Sequence, residues 1–234
     1  MKGPFLKALT HQQSVLEKKT TVPVLSQVML TAQGKKDSQM GTLTLTGTDL
    51  ELTLEETFPA RVTTPGSTTL PVHMLYDIVR KLRDGAPIEL CLHPDGNLTL
   101  LCSLSQFTLP TVSAEGFPVI APQELSCRFH FAGCDLRRLI DQTRFAMSMG
   151  EARNNLNGIY LHKYGADLRA VATDAHRLAV SWLPISAQTR NMPGVILSRK
   201  TASEVRKLID GFEDSVEVAL SETQISFSVG DILA

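Results

Sequence analysis

Ala170-Val171-Ala172-Thr173-Asp174-Ala175-His176-Arg177-Leu178-Ala179-Val180 sets two apolar arms around a polar corner. The arms, at 168–172 and 178–182, read as strands, and the corner concentrates Thr, Asp, His and Arg within a few residues. Asp and Thr at such a place bond the neighbouring backbone and hold a turn, and the same four side chains also suit a binding site. Treating Asp174 and His176 as an acid–base or metal pair requires a nucleophile or further ligands. The sequence has no HExxH, no GxSxG and no glycine-rich phosphate loop.

The corner belongs to a chain of 234 residues with 43% hydrophobic content, enough for one large domain or two of ordinary size. No apolar run approaches the roughly 20 residues of a membrane helix. The start, Met1-Lys2-Gly3-Pro4, lacks the apolar stretch of a secretory signal. Cytoplasm is the expected location, with no membrane partner. Cys91, Cys102, Cys127 and Cys134 show no CxxC spacing and are expected as buried free thiols, not disulfides or a zinc site. No metal or cofactor is expected.

Helical periodicity runs through four segments. Residues 5–18 align Phe5, Leu9 and Leu16; 72–83 align Leu75, Ile78, Val79 and Leu82; 134–147 align Leu136, Leu139, Ile140 and Met147; 199–209 align Ala202, Val205, Leu208 and Ile209. These segments hold twelve Lys/Arg against five Asp/Glu, although the whole chain carries a net charge of only −1. Positive charge is therefore segregated onto helices and negative charge onto the rest. Such a net balance excludes a bulk basic protein, and its distribution still allows a basic face.

Most other segments alternate with period two: 40–45 with 50–54, 88–92, 97–102, 216–220 and 224–229. Pro94-Asp95-Gly96-Asn97 marks a hairpin. The expected class is α+β, antiparallel sheets with helices on one face.

An internal repeat organises these pieces. Thr48-Asp49-Leu50 returns as Thr173-Asp174-Ala175, and Val79-Arg80-Lys81-Leu82 returns as Val205-Arg206-Lys207-Leu208, at offsets of 125 and 126 residues. A hairpin follows each helix, 88–92 with 98–102 and 216–220 with 225–229. The chain reads as two copies of one unit, each beginning with a basic-faced helix. The expected domains are 1–125, including a linker at 111–125, and 126–234. In the first copy a further strand at 105–109 follows the hairpin, whereas the second copy stops at Asp231-Ile232-Leu233-Ala234, leaving its last strand incomplete.

Leu45-Thr46-Gly47-Thr48-Asp49-Leu50-Glu51, Leu156-Asn157-Gly158, Glu115-Gly116-Phe117-Pro118 and above all Ala172-Thr173-Asp174-Ala175-His176-Arg177-Leu178-Ala179 resemble the bacterial sliding-clamp family, the beta subunit of DNA polymerase III, over the entire chain. The resemblance implies tandem repeats of the clamp fold, three per protomer, two protomers closing into a ring around duplex DNA with helices lining the hole. It implies no catalysis. The partners it implies are double-stranded DNA, held without regard to sequence, and replicative polymerase subunits, the clamp loader and repair proteins, which dock by short linear motifs.

By the same resemblance, Arg153, Leu156, Thr173, Ala175, His176, Arg177 and Leu178 form part of the peptide groove. Lys19, Arg80, Arg199 and Lys200 face DNA, and His73, Met74, Ile78, Leu104 and Gln106 meet the second protomer. The third repeat, which supplies the other half of the groove and the ring contact, is expected to be absent, so this chain is expected to be monomeric or weakly associating. Asn154-Asn155 depart from the aromatic or apolar residue common in the family after Arg153, and Met149-Gly150 lacks polar DNA-contacting side chains. Two alternatives stand beside the clamp. One is a peptide-binding module that never encircles DNA. The other is a metal-dependent phosphoesterase using Asp49, Asp174 and His176, against which the repeat argues because Glu51 or Leu52 stands where His176 would recur.

Overall fold

The structure is a computed structural model describing residues 1–18, 20–34, 40–118, 125, 127–150, 154–185 and 192–234, with Asn154 described by its backbone. Lys19 and Arg153 lie outside the described residues. The chain divides into two compact units, Met1–Ile120 and Ala121–Ala234. Among the described residues no helix is long and apolar enough to cross a membrane.

In the first unit, helix α1 (Lys2–Val15) precedes strands β1 (Gln27–Gly34), β2 (Met40–Thr48), β3 (Thr53–Arg61) and β4 (Gly66–Pro71). Helix α2 (Val72–Lys81) and strands β5 (Glu89–Leu92), β6 (Asn97–Cys102) and β7 (Ser105–Pro110) follow. The first four strands form an antiparallel sheet in the order β4-β1-β2-β3, and the last three a meander. Helix α1 starts at residue 2, earlier than the periodicity suggests, because Pro4 sits in the first turn, where a missing N–H costs nothing. It buries Phe5, Ala8, Leu9, Gln12 and Val15 at helical spacing. The Gln12 side chain donates to the carbonyls of Leu45 and Leu54, both at 3.1 Å, tying the helix to β2 and β3. Leu9, Leu45, Leu70, Leu75 and Leu100 centre this unit's core.

The second unit begins with strand β8 (Cys127–Ala132), which runs into helix α3 (Gly133–Asp141). Strands β9 (Gly158–Tyr164), β10 (Asp167–Thr173), β11 (Leu178–Pro184) and β12 (Val195–Ser198) follow, then helix α4 (Arg199–Leu208) and strands β13 (Ser215–Leu220), β14 (Ile225–Val229) and β15 (Ile232–Leu233). The order β12-β9-β10-β11 repeats β4-β1-β2-β3 of the first unit. The second sheet runs β8-β13-β14-β15. Phe227, Leu139, Ile159, Leu168, Leu197 and Ile209 lie at the centre of its core, which also takes in Ala172 and Ala179 beside the polar corner.

The fold is thus α+β with a tandem repeat, and several expectations need correction. The second unit opens with a strand and not with a helix: β8 alternates buried Cys127, Phe129 and Phe131 with exposed Arg128, His130 and Ala132. Leu50 lies in a turn with φ 77°, not in a strand. The helix expected over 134–147 ends at Asp141 and gives way to a short 3-10 turn at Arg144–Ala146. All four cysteines are free, but only Cys102 and Cys127 are buried; Cys134 is exposed because it occupies the solvent side of the first turn of α3, and Cys91 is half-buried on a sheet edge.

Candidate functional site

The corner between β10 and β11 is a turn held by its own side chains. Asp174 Oδ1 accepts the backbone N–H groups of His176 and Arg177, both at 3.0 Å, and its Oδ2 accepts Arg177 Nε at 2.9 Å. The two amides and the guanidinium hold the Asp174 carboxyl below the usual carboxylate range. The corner therefore keeps its charge and shape across neutral pH and loosens only in acid, where Asp174 takes up a proton. Thr173 Oγ1 donates to the Arg177 carbonyl at 2.7 Å and accepts the Ala175 N–H at 3.2 Å.

The first unit builds the same turn between β2 and β3. Asp49 Oδ1 accepts the N–H groups of Glu51 and Leu52 at 2.9 and 2.7 Å, and Thr48 Oγ1 accepts that of Leu50 at 3.1 Å. Thr and Asp are thus the scaffold of both corners, and the Thr173 hydroxyl, expected in the docking groove, bonds within the turn. What differs is the display. Ala175, His176, Arg177 and Leu178 replace Leu50, Glu51, Leu52 and Thr53, and all four are exposed, Leu178 to 66%.

Ala175 occupies the left-handed region at φ 75°, which costs a residue with a Cβ about 1 kcal/mol. Ala175→Gly is expected to stabilise the second unit by about that amount, raising its melting midpoint by about 4 °C in a thermal scan.

A second segment comes up beside the corner. The Arg177 guanidinium lies 5.7 Å from the ring centre of Phe145, which is 57% exposed at the 3-10 turn. Phe145 is absent from the residues that the sequence singles out, because helical periodicity over 134–147 places it on an ordinary solvent face. The Ser148 N–H donates to the Leu156 carbonyl at 2.9 Å, so half-buried Leu156 rides on the same loop.

Arg199 fixes that loop. Its Nη2 donates to the carbonyls of Met147 and Ser148 at 2.8 and 2.7 Å, and its Nε to Asn157 Oδ1 at 3.0 Å. Arg199, expected to face DNA, thus engages Nε and Nη2 with this loop and positions it. Arg80 is half-exposed, 3.2 Å from Asp77 and 5.7 Å from the Tyr76 ring centre. Lys200 is half-buried in the first turn of α4.

In the first unit, His73, Met74 and Ile78 line one depression together with Lys18, Asp77, Lys81 and Phe107. Gln106 neighbours Phe107 on β7, and fully exposed Leu104 caps the β6–β7 hairpin. Lys18 and Phe107 escape a reading of the sequence because they lie on elements distant from α2. Among the described residues no group of three or more His, Cys, Asp or Glu side chains is placed to hold a metal ion.

Two family models match: the N-terminal domain of the DNA polymerase III beta subunit over residues 2–121 and its central domain over 132–234. The beta sliding clamp of Caulobacter vibrioides is 40% identical over 98% of this chain, and that of Escherichia coli K12 is 35% identical over the same share. A sliding clamp structure from Bartonella birtlesii bound to griselimycin superposes over 99% of this chain with a TM-score of 0.92 at 36% identity. The chain spans about 61% of the length of both curated relatives and 62% of that solved chain. With both of its repeated units matched in order, the chain belongs to the DNA polymerase III beta subunit family, the bacterial sliding clamps.

Proposed function

We propose that this chain contributes two repeats to a clamp that encircles duplex DNA without reading its sequence, and that it tethers polymerase subunits, the clamp loader and repair proteins through the corner at 173–178. The observation that carries this is the duplicated turn. Both copies satisfy their backbone with Thr and Asp, but only the second presents a cation, an imidazole and an aliphatic side chain beside an exposed aromatic ring. Apolar anchors flanked by hydrogen-bonding groups suit a short linear peptide. The docking set is His176, Arg177, Leu178 and Phe145 with Leu156, and Arg153 is the adjoining position. The protein acts by binding and not by catalysis.

Phosphates are met by basic side chains of the helices, among them Arg80 and Lys200, with Lys19 as a further candidate. Exposed ion pairs such as Arg80–Asp77 and Arg138–Asp135 contribute at most about 1 kcal/mol, so a phosphate can displace the carboxylate. The depression at His73, Met74 and Ile78, with Phe107, is the surface we assign to the neighbouring protomer.

The test has two arms. His176→Ala and Arg177→Ala are expected to weaken binding of a clamp-binding peptide by about tenfold each, with unchanged circular dichroism. Unchanged affinity in both removes the docking assignment. Arg80→Ala combined with Lys200→Ala is expected to lower DNA association at low salt and flatten its salt dependence by about one unit of log–log slope for each phosphate no longer held. A second reading, peptide docking without encirclement, rests on the corner alone. Light-scattering mass together with retention on circular DNA decides between them, since a monomer that binds peptide but slips from circular DNA fits only the second reading.

A further inference from the structure

The repeat places two arginines at equivalent positions, Arg80 on α2 and Arg206 on α4, each four residues ahead of an Asp-Gly pair, Asp84-Gly85 and Asp210-Gly211. Their surroundings differ. The Arg80 side chain is 52% exposed, and its carboxylate partner, Asp77 at 3.2 Å, lies on its own helix. Helix α1, which packs against α2, carries no Asp or Glu. Asp84 is taken by Lys2 Nζ at 2.7 Å.

In the second unit Ser203 stands where Asp77 would recur, and a carboxylate comes from across the helix pair. Arg206 Nε donates to both oxygens of Asp141, at the end of α3, at 2.9 and 2.8 Å, and its Nη1 donates to Asp210 Oδ1 at 3.0 Å. The Arg206 side chain is only 20% exposed. Each carboxylate then meets a second arginine through an oxygen that Arg206 already uses. Arg144 Nε lies 3.1 Å from Asp141 Oδ1, and Arg137 Nη1 lies 3.9 Å from Asp210 Oδ1. These two arginine side chains are 50% and 38% exposed. An oxygen that accepts a close N–H from Arg206 holds a second cation less firmly, and ion pairs open to water are weak to begin with.

We propose that Arg144 and Arg137 are phosphate contacts of the second unit and that Arg206 is a positioning residue that occupies Asp141 and Asp210, an inference that rests on the reading that the basic helices meet DNA. A phosphate takes over Arg144 and Arg137 by displacing one weak ion pair at each. The planar fork of Arg206 meets the two carboxylates through different nitrogens, a geometry that the single nitrogen of lysine does not reproduce. The duplicated arginine has thus split its work: Arg80 faces phosphate, and Arg206 keeps two neighbours available to it.

The test measures association of the whole 234-residue chain with a short DNA duplex across a salt series. Arg144→Gln and Arg137→Gln are each expected to flatten the log–log slope by about one unit, as Arg80→Gln does in the first unit. Arg206→Lys keeps the charge and is expected to lower affinity about threefold with the slope unchanged, because Asp141 and Asp210 then draw harder on Arg144 and Arg137. A direct phosphate contact would tolerate that exchange of one cation for another. Urea unfolding followed by Trp182 fluorescence checks each variant, and the exposed Arg144 and Arg137 variants decide the matter even if Arg206→Lys unfolds.

Three results overturn the proposal. In the first, folded Arg206→Lys matches the parent chain in DNA affinity, so that Arg206 positions nothing. In the second, Arg144→Gln and Arg137→Gln leave the slope unchanged while Arg80→Gln flattens it, which puts the second unit's phosphate contacts elsewhere. In the third, the slope is unchanged in all of these variants, Arg80→Gln included, and the DNA reading itself falls.

Discussion

Truncating Phe227 to alanine is expected to lower the stability of the second unit by about 3 to 5 kcal/mol. The ring is fully buried in the core shared by the strands and helices of that unit, and its strand is paired with β13 and β15. The loss therefore combines transfer of a large apolar group with a cavity that tightly paired strands cannot collapse to fill. The single tryptophan, Trp182, lies on β11 of the same unit, so its fluorescence reports this unit's unfolding selectively. With a urea dependence of about 2 kcal/mol per molar, the midpoint should fall by about 2 M. A shift under about 0.5 M would mean that the ring does not anchor this core.

Gly133→Ala follows, with an expected loss of about 3 kcal/mol. A Cβ at residue 133 would lie 2.2 Å from the Phe212 carbonyl oxygen and 3.1 Å from its carbonyl carbon, and these are backbone atoms that cannot rotate aside. The residue is also tethered by its own N–H, which donates to the Asp214 carbonyl at 3.1 Å. Relief requires moving the start of α3 away from the turn after α4, opening the core at Leu136 and Ile209. Cys134→Ala, one residue on and exposed, is expected to change stability by less than about 0.5 kcal/mol in the same urea titration.

Much of the fold is legible in the sequence because the information is local. The 3.6-residue spacing of Leu75, Val79 and Leu82, or of Ala202, Val205 and Ile209, marks a helix whatever it packs on. Asp95-Gly96 forces the hairpin, where Gly96 adopts φ 79°. The duplicated Thr-Asp reveals the two-unit architecture. Strand β8 escapes notice although Cys127, Phe129 and Phe131 alternate plainly, because aligning the repeat on its helices draws attention away from the segment ahead of α3. Within the candidate site, His176, Arg177 and Leu178 stand out in the sequence, whereas the hydrogen bonds of Thr173 and Arg199 do not. Their partners are carbonyls, and no side-chain pattern announces which backbone oxygen a hydroxyl or guanidinium will meet. Phe145 is invisible for the related reason that its neighbour Arg177 is 32 residues away in sequence.

Asp174 has a kinetic consequence. By binding the amides of His176 and Arg177 and the Arg177 side chain, it settles the disorder of the corner when the chain folds, leaving little to freeze when a ligand arrives. Under the proposed function, every partner meets the same rigid surface, and none waits for it to reshape. Succession among partners at this single address is then timed by residence and not by arrival. Under that same reading a tight partner would linger and a weak one would leave within moments, so the order of their visits would be written in dissociation rates.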